Sequence, residues 1–224
     1  MKWTRWLCVF LVGLVAVQAA QAREGSRPFQ VLNRIRAEYD DNIYQETEDK
    51  DSSFKLIEEV ELRVNLSLDN TFVSLRYRPS FTYWDDRPSD KTDLNHDLDL
   101  VLNHQFSPRL GLSLVESLRR GELPELIDGN VVVREKDDFW YNTFNAAVVY
   151  RFRPQTQVEV AGRHALLRYD EEEVSKTEDF DIVVGGLTLR HQLVPETAVL
   201  GEFRAEQVEY EGPDRGSESL FAGA

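Results

Sequence analysis

The chain is poor in the residues that carry covalent chemistry. Its 224 residues include one cysteine, one methionine and 4 histidines. The cysteine, Cys8, sits in an apolar stretch near the start, so the remainder has no disulfide and no thiol for catalysis or metal binding. No G-x-S-x-G elbow and no H-E-x-x-H pair occurs. His96, His104, His164 and His191 are too scattered for the ligand spacing of a zinc site. Cations are scarce too: 26 Lys and Arg against 40 Asp and Glu give a formal charge of −14. That balance runs against nucleic-acid binding, which rests on cations at phosphate. Beyond residue 22 no apolar run is long enough for a transmembrane helix.

The first residues read as a leader. Lys2 and Arg5 give a positive start, and Leu7 to Val17 form an apolar core too short to span a bilayer as a helix. Ala20-Gln21-Ala22 offers the small residues of a cleavage site. The chain thus divides into a signal peptide, 1–22, and one domain, 23–224. Loss of Lys2 and Arg5 leaves the remainder two units more negative. The competing reading of the leader is an N-terminal membrane anchor. Trp6-Leu7 before Cys8 lacks the small residue of a lipoprotein site.

Past the leader, polarity alternates with period two. The pattern predicts strands at Phe29–Tyr39, Phe54–Leu68, Thr71–Tyr83, Leu94–Phe106, Leu110–Arg119, Phe139–Arg153, Gln157–Tyr169, Phe180–Leu193 and Ala198–Tyr210. A tenth begins at Glu218 and runs to the last residue, Ala224. Most exceed the roughly five or six residues usual in soluble sheets. Short turns recur at Asp69-Asn70, Ser107-Pro108-Arg109, Pro154-Gln155-Thr156 and Pro195-Glu196-Thr197, with long acidic loops between the hairpins. Short turns at one end and long loops at the other predict an all-β fold, an antiparallel up-and-down transmembrane β-barrel. A barrel must close, and bacterial barrels usually have an even strand number. The nine to ten strands therefore read as the incomplete, N-terminal portion of a longer barrel. A soluble β-sandwich also alternates polarity, but gives no reason to segregate turns from loops.

Each turn predicts a register. With Asp69-Asn70 as a two-residue turn, Leu68 faces Thr71, Leu66 meets Val73, Val64 meets Leu75, Asn65 meets Ser74 and Glu61 meets Arg78. With Phe106 opposite Leu110, Asp97 meets Arg119. With Phe152 opposite Val158, Tyr150 meets Val160 and Arg151 meets Glu159. With Leu193 opposite Val199, Leu189 meets Phe203 and Arg190 meets Glu202. Every hairpin then has an apolar face and an Arg–carboxylate pair on its polar face, each pair contributing roughly 0.2–1 kcal/mol. The polar face would line a lumen with Arg34, Arg36, Glu61, Arg63, Arg76, Arg78 and Asp97 from the first strands. Asp99, Arg119, Arg151, Glu159, Arg190, Glu202 and Arg204 would continue it.

Aromatics cluster at strand ends. Tyr39, Tyr44, Tyr83, Trp84, Phe139, Trp140, Tyr169, Phe180 and Tyr210 flank the long loops; Phe29, Phe72, Phe106 and Phe152 lie at the turn side. Two girdles of this kind belong at membrane interfaces. The loops hold Glu46, Glu48, Asp49 and Asp51; Asp85, Asp86, Asp90 and Asp93; Glu122, Glu125, Asp128, Glu135, Asp137 and Asp138; and Asp170, Glu171, Glu172, Glu173, Glu178 and Asp179. They read either as solvated loops or as sites for divalent cations among lipopolysaccharide. No loop has the spacing of a calcium hand.

Tyr39-Asp40-Asp41-Asn42-Ile43-Tyr44 resembles a signature of outer-membrane β-barrel porins, most nearly the family called β-barrel porin type two. The resemblance extends to the leader and the hairpin rhythm. It implies a channel with more strands than are present here, and some members occur near exopolysaccharide genes. It brings no catalytic residues and no cofactor. The expectation is an outer-membrane porin-like protein, with lipid, lipopolysaccharide and the barrel-assembly machinery as partners and no nucleic acid. A non-conducting barrel serving structure or polysaccharide export is the alternative. A lipid-modifying enzyme is more remote, since no register sets a histidine beside Ser113 or Ser117.

Overall fold

The computed structural model describes residues 28–43, 51–87, 91–121, 126–128, 131–133, 137–212 and 215–224. The leader lies outside them, with Cys8 and the Ala20-Gln21-Ala22 site, and so do Tyr44, Glu46, Glu48, Asp49, Asp90, Glu122, Glu125 and Glu135. The strands are β1 (Phe29–Asp40), β2 (Ser53–Ser67), β3 (Thr71–Trp84), β4 (Thr92–Ser107), β5 (Leu110–Gly121), β6 (Leu126–Asp128) and β7 (Val131–Val133). They continue with β8 (Phe139–Arg153), β9 (Thr156–Tyr169), β10 (Phe180–Val194), β11 (Thr197–Tyr210) and β12 (Ser217–Gly223). All but β6 and β7 form one 10-stranded sheet in the order β1-β2-β3-β4-β5-β8-β9-β10-β11-β12, each pair antiparallel. The all-β, up-and-down expectation therefore holds for the sheet. Closure into a barrel is not seen: β1 and β12 are its edges. Two loops hold structure of their own. β6 and β7 pair as a ribbon between β5 and β8. A short helix, α1 (Glu172–Glu178), lies between β9 and β10. Glu172 and Glu173 occupy its first turn and Lys176 its last, each complementing the helix dipole.

The turns set the register. At Asp69-Asn70 the Leu68 amide donates to the Thr71 carbonyl at 2.8 Å, and Leu66↔Val73, Val64↔Leu75 and Asn65↔Ser74 pair as expected. The three proline turns are tighter than their sequences suggest. Ser107 pairs with Leu110, Arg153 with Thr156 and Val194 with Thr197, so only Pro108-Arg109, Pro154-Gln155 and Pro195-Glu196 are left in the turns. The residue two before each proline drops out of the ladder as a bulge: Phe106, Phe152 and Leu193. Proline presets the first turn position, and the bulge supplies extra twist. The Gln105 side-chain amide donates to the Leu110 carbonyl at 2.9 Å, and the Gln192 amide to the Pro195 carbonyl at 2.8 Å, fastening two of these turns.

The body of β4–β5 keeps its expected register, with Asp97 opposite Arg119. In the other two hairpins the body slips by two residues. Tyr150 faces Val158, Arg151 faces Gln157, Leu189 faces Gly201 and Arg190 faces Leu200. The expected pairs Arg151–Glu159 and Arg190–Glu202 are therefore not formed; Glu159 and Glu202 both lie opposite Thr188. An even slip leaves every side chain on its own face.

Pro79 lies in the interior of β3. It pairs with His96 on the β4 side, but the β2–β3 ladder lapses between Glu59↔Ser80 and Leu62↔Tyr77. Proline has no amide to give that ladder. Glu61 and Arg78 sit in this gap and turn to other partners: Arg78 bonds Asp97, and Arg63 bonds Glu61.

The two faces differ. One exposes large apolar side chains from edge to edge, among them Ile35, Leu56, Phe81, Leu94, Val160 and Phe203. The band crosses the strand-to-strand rows obliquely. On β3 it runs from Val73 to Tyr83, whereas on β11 it runs from Val199 to Ala205 and then yields to Gln207 and Glu209. Yet the row through Arg78 passes Asp97, Arg119, Tyr141, Leu167 and Phe180 and arrives at Tyr210. The band has thus shifted by roughly eight residues over about six strand steps. With about 3.3 Å per residue and 4.8 Å between strands, that slope is about 40°.

Cysteines at Ala147 and Ala161, direct partners across β8–β9, are expected to crosslink on oxidation in a Cys8→Ser background. A pair at Ala147 and Arg163, which the sequence-based register would join, is expected to stay reduced. The reverse pattern on non-reducing gels refutes the bulged turn.

Candidate functional site

The side chains that face away from the apolar band form the candidate site. All fourteen expected lumen residues, from Arg34 to Arg204, fall on this face by strand alternation and register. Those on β1–β5 are brought into one belt of neighbouring ion-paired groups. Arg34 and Arg36 both donate to Glu59, at 3.3 and 3.1 Å. Arg76 Nε donates to Asp99 at 2.8 Å, and Asp99 also accepts from Ser117 Oγ at 2.9 Å. Arg78 Nε donates to Asp97 at 3.2 Å, and Arg119 approaches the other Asp97 oxygen at 3.8 Å. Arg63, held by Glu61, stands directly opposite Arg76. Arg151, Glu159, Arg190, Glu202 and Arg204 share the face nearer the turns, outside this network of bonds.

Along the same rows the chemistry changes. Arg78, Asp97 and Arg119 give way to Tyr141, Leu167, Phe180 and Tyr210. The next row runs from Arg76 and Asp99 through Ser117 and Thr143 to Ala165, Ile182 and Val208. Phe139, Tyr141, Ala165, Leu167, Tyr169, Phe180 and Ile182 form a buried apolar cluster, with Val174 of α1 packed against it. Ala165 and Leu167 are fully buried. Burying a side chain such as Leu167 contributes about 1.5–3 kcal/mol. Asp179, also buried, ties α1 to the sheet by accepting from the Tyr169 amide and Ser175 Oγ, both at 2.8 Å. Gly212 lets the β11–β12 connection pass close to the helix, since a Cβ there would stand 2.6 Å from the Lys176 carbonyl oxygen.

A second buried group covers the loop end of β2–β4. Arg87, from the β3–β4 loop, pairs with Asp93 at 2.6 Å and lies over the Trp84 ring, 5.5 Å from its centroid. Trp84 Nε1 donates to Asp93 at 2.6 Å. Lys55 approaches the same ring at 5.1 Å and bonds Asp40 of the Tyr39–Tyr44 hexapeptide at 3.2 Å.

These groups correct the reading of the aromatics as two girdles. Tyr39, Tyr83, Trp140, Phe29, Phe106 and Phe152 are exposed, whereas Trp84, Phe139, Tyr169 and Phe180 are buried. The sequence signal was a break in alternation. Phe139-Trp140-Tyr141 and Ala165-Leu166-Leu167 are apolar on both faces, as in strands covered on both sides.

Several loop carboxylates serve the structure. Arg120 bonds Asp138 at 3.1 Å and Asp170 Oδ1 at 2.9 Å, and Asp137 accepts from the Glu171 amide at 2.7 Å. Among the described residues no group of three or more His, Cys, Asp or Glu is arranged to hold a metal ion. The histidines lie on the apolar face, each with a cross-strand partner: His96 with Tyr77, His104 with Thr71, His164 with Asp181 and His191 with Thr156. Ser113 and Ser117 lie on the opposite face.

Truncation of Leu167 to Ala is expected to cost about 2–5 kcal/mol in denaturant unfolding, while Leu187→Ala on the exposed band costs much less. Equal losses would show that the cluster is not a core. Hydrogen bonding from Arg120 holds the Asp170 carboxyl below the usual aspartate range. Its folded-state pKa is depressed, so its contribution is present above the unfolded value and lost as pH falls through the folded one. Arg120→Gln is expected to return Asp170 to the ordinary range in an NMR carboxyl titration; an unchanged midpoint refutes the pairing.

Comparison with known protein families and with curated proteins finds no match for this chain.

Proposed function

We propose that this chain builds a porin-like outer-membrane β-barrel through which small polar solutes or ions diffuse passively. The observation that carries the reading is the contrast between the two faces of one continuous sheet. An exposed apolar band covers one face, and neighbouring groups of ion pairs line the β1–β5 part of the other. A sheet in water gains nothing by exposing so much apolar surface. A strand set in lipid requires it, with polar groups turned to the lumen. The slope of the band supports the same reading, since strands in closed barrels tilt by about 35–45°. The leader and the hexapeptide at the end of β1 agree with it. Lipid and lipopolysaccharide then contact the apolar band, and the barrel-assembly machinery inserts the strands. The acidic loops either remain solvated or take divalent cations beside lipopolysaccharide.

One observation favours a second reading, a non-conducting barrel with a structural or polysaccharide-export role. The cluster around Leu167 and Phe180, covered by α1, takes up the ionic face at the loop end of β8–β11. A lipid-modifying enzyme draws less support, because Ser113 and Ser117 are separated from the histidines by the sheet itself.

The full-length protein, expressed with its leader in a Gram-negative host, is expected in the outer-membrane fraction as a heat-modifiable band. Purified protein is expected to produce unitary current steps in planar bilayers. Membrane insertion without current selects the non-conducting barrel. Recovery in the soluble periplasmic fraction overturns both readings.

A further inference from the structure

We propose that the ionic belt of β1–β5 makes the pore selective for small anions, although the chain as a whole carries −14. This rests on the channel reading above and names its solute class. Six arginines, Arg34, Arg36, Arg63, Arg76, Arg78 and Arg119, and Lys55 share this face of β1–β5 with six carboxylates, Glu38, Asp40, Glu59, Glu61, Asp97 and Asp99, an excess of one cation besides the neutral Arg87–Asp93 pair. Two of the carboxylates are divided between two cations each. Glu59 serves Arg34 and Arg36, and Asp97 serves Arg78 and Arg119. A single carboxylate cancels one guanidinium, so the Asp97 group keeps a net positive charge, whereas Arg36 is also met by Glu38 at 2.6 Å and, with Lys55 and Asp40, the Glu59 group is balanced.

The acids are also recessed. Glu59 and Glu61 have 12% and 16% of their side-chain surface exposed, against 69% for Arg34. Asp97 has 24%, against 49% for Arg119. A solute passing this face meets guanidinium first. Arg63 stands directly opposite Arg76, and each is already compensated by a carboxylate, Glu61 and Asp99. The guanidinium fork suits chloride as a charge and a carboxylate by paired hydrogen bonds. Low-dielectric walls would focus this field along the pore. Among the described loop acids, Asp93 is neutralised by Arg87.

Reversal potentials of the full-length protein in bilayers under a gradient of potassium chloride, and then of potassium acetate, test the proposal. Both are expected on the anion side. Arg34→Gln with Arg119→Gln leaves Arg36–Glu59 and Arg78–Asp97 in place and is expected to lower the anion-to-cation permeability ratio severalfold. Arg34→Glu with Arg119→Glu is expected to reverse its sign. Pores that open but prefer potassium, or whose preference ignores both double variants, overturn anion selectivity and leave the channel intact. Membrane-inserted protein that never conducts overturns the channel reading and this inference together.

Discussion

A β-strand repeats its side chains every two residues, so once its register is set the backbone has no choice of face. In this sheet that constraint passes from strand to strand across the whole ladder. The register of each hairpin decides which residues meet, and its parity decides which face they occupy. Everything functional here depends on parity. The belt of arginines exists because β1 to β5 turn most of their charged positions to the same side, with Glu58, Glu116 and Arg120 as exceptions. The apolar band exists because the same strands present their leucines and aromatics to the other.

The two halves of the ionic face solve different problems. In β1–β5 the polar groups bond one another, with acids shared between cations. In β8–β11 the loop end of that face is apolar and closed by its own aromatics, with α1 laid over them. Asp179 and Gly212 show how closely the helix is fitted, one by hydrogen bonds and the other by lack of a side chain. Burial of Leu167 and Phe180 gives this end a core of the kind found in soluble proteins, a rigid counterpart to the hydrated belt.

Much of the fold was legible in the sequence because period two is a strong signal and the turns are short. Asp69-Asn70 gave the register of β2–β3 directly. Two of the three proline turns did not, because Phe152 and Leu193 look like ordinary strand residues and nothing local marks them as bulges. The difference is two residues, so Arg151, Glu159, Arg190 and Glu202 keep their face and lose their expected partners. The belt was legible in membership but not in bonding. Arg78 bonds Asp97 because the β3–β4 register sets the two directly opposite, a pairing that hairpins read one turn at a time do not supply. The buried cluster escapes a reading of Phe139, Tyr169 and Phe180 as interface aromatics, although their unbroken apolar neighbours point to cover on both faces.

Strand order in the main sheet follows chain order throughout. Every strand pairs with a neighbour in chain order, and four of the nine connections in the sheet are turns of only two residues. The entropy of closing such loops is small, and topologies built from neighbouring contacts fold faster than those that join remote segments. The sheet can therefore grow by addition of one hairpin to the edge left by the last. The glutamines that fasten the turns at Pro108 and Pro195 hold closed two of the points where these short loops are made.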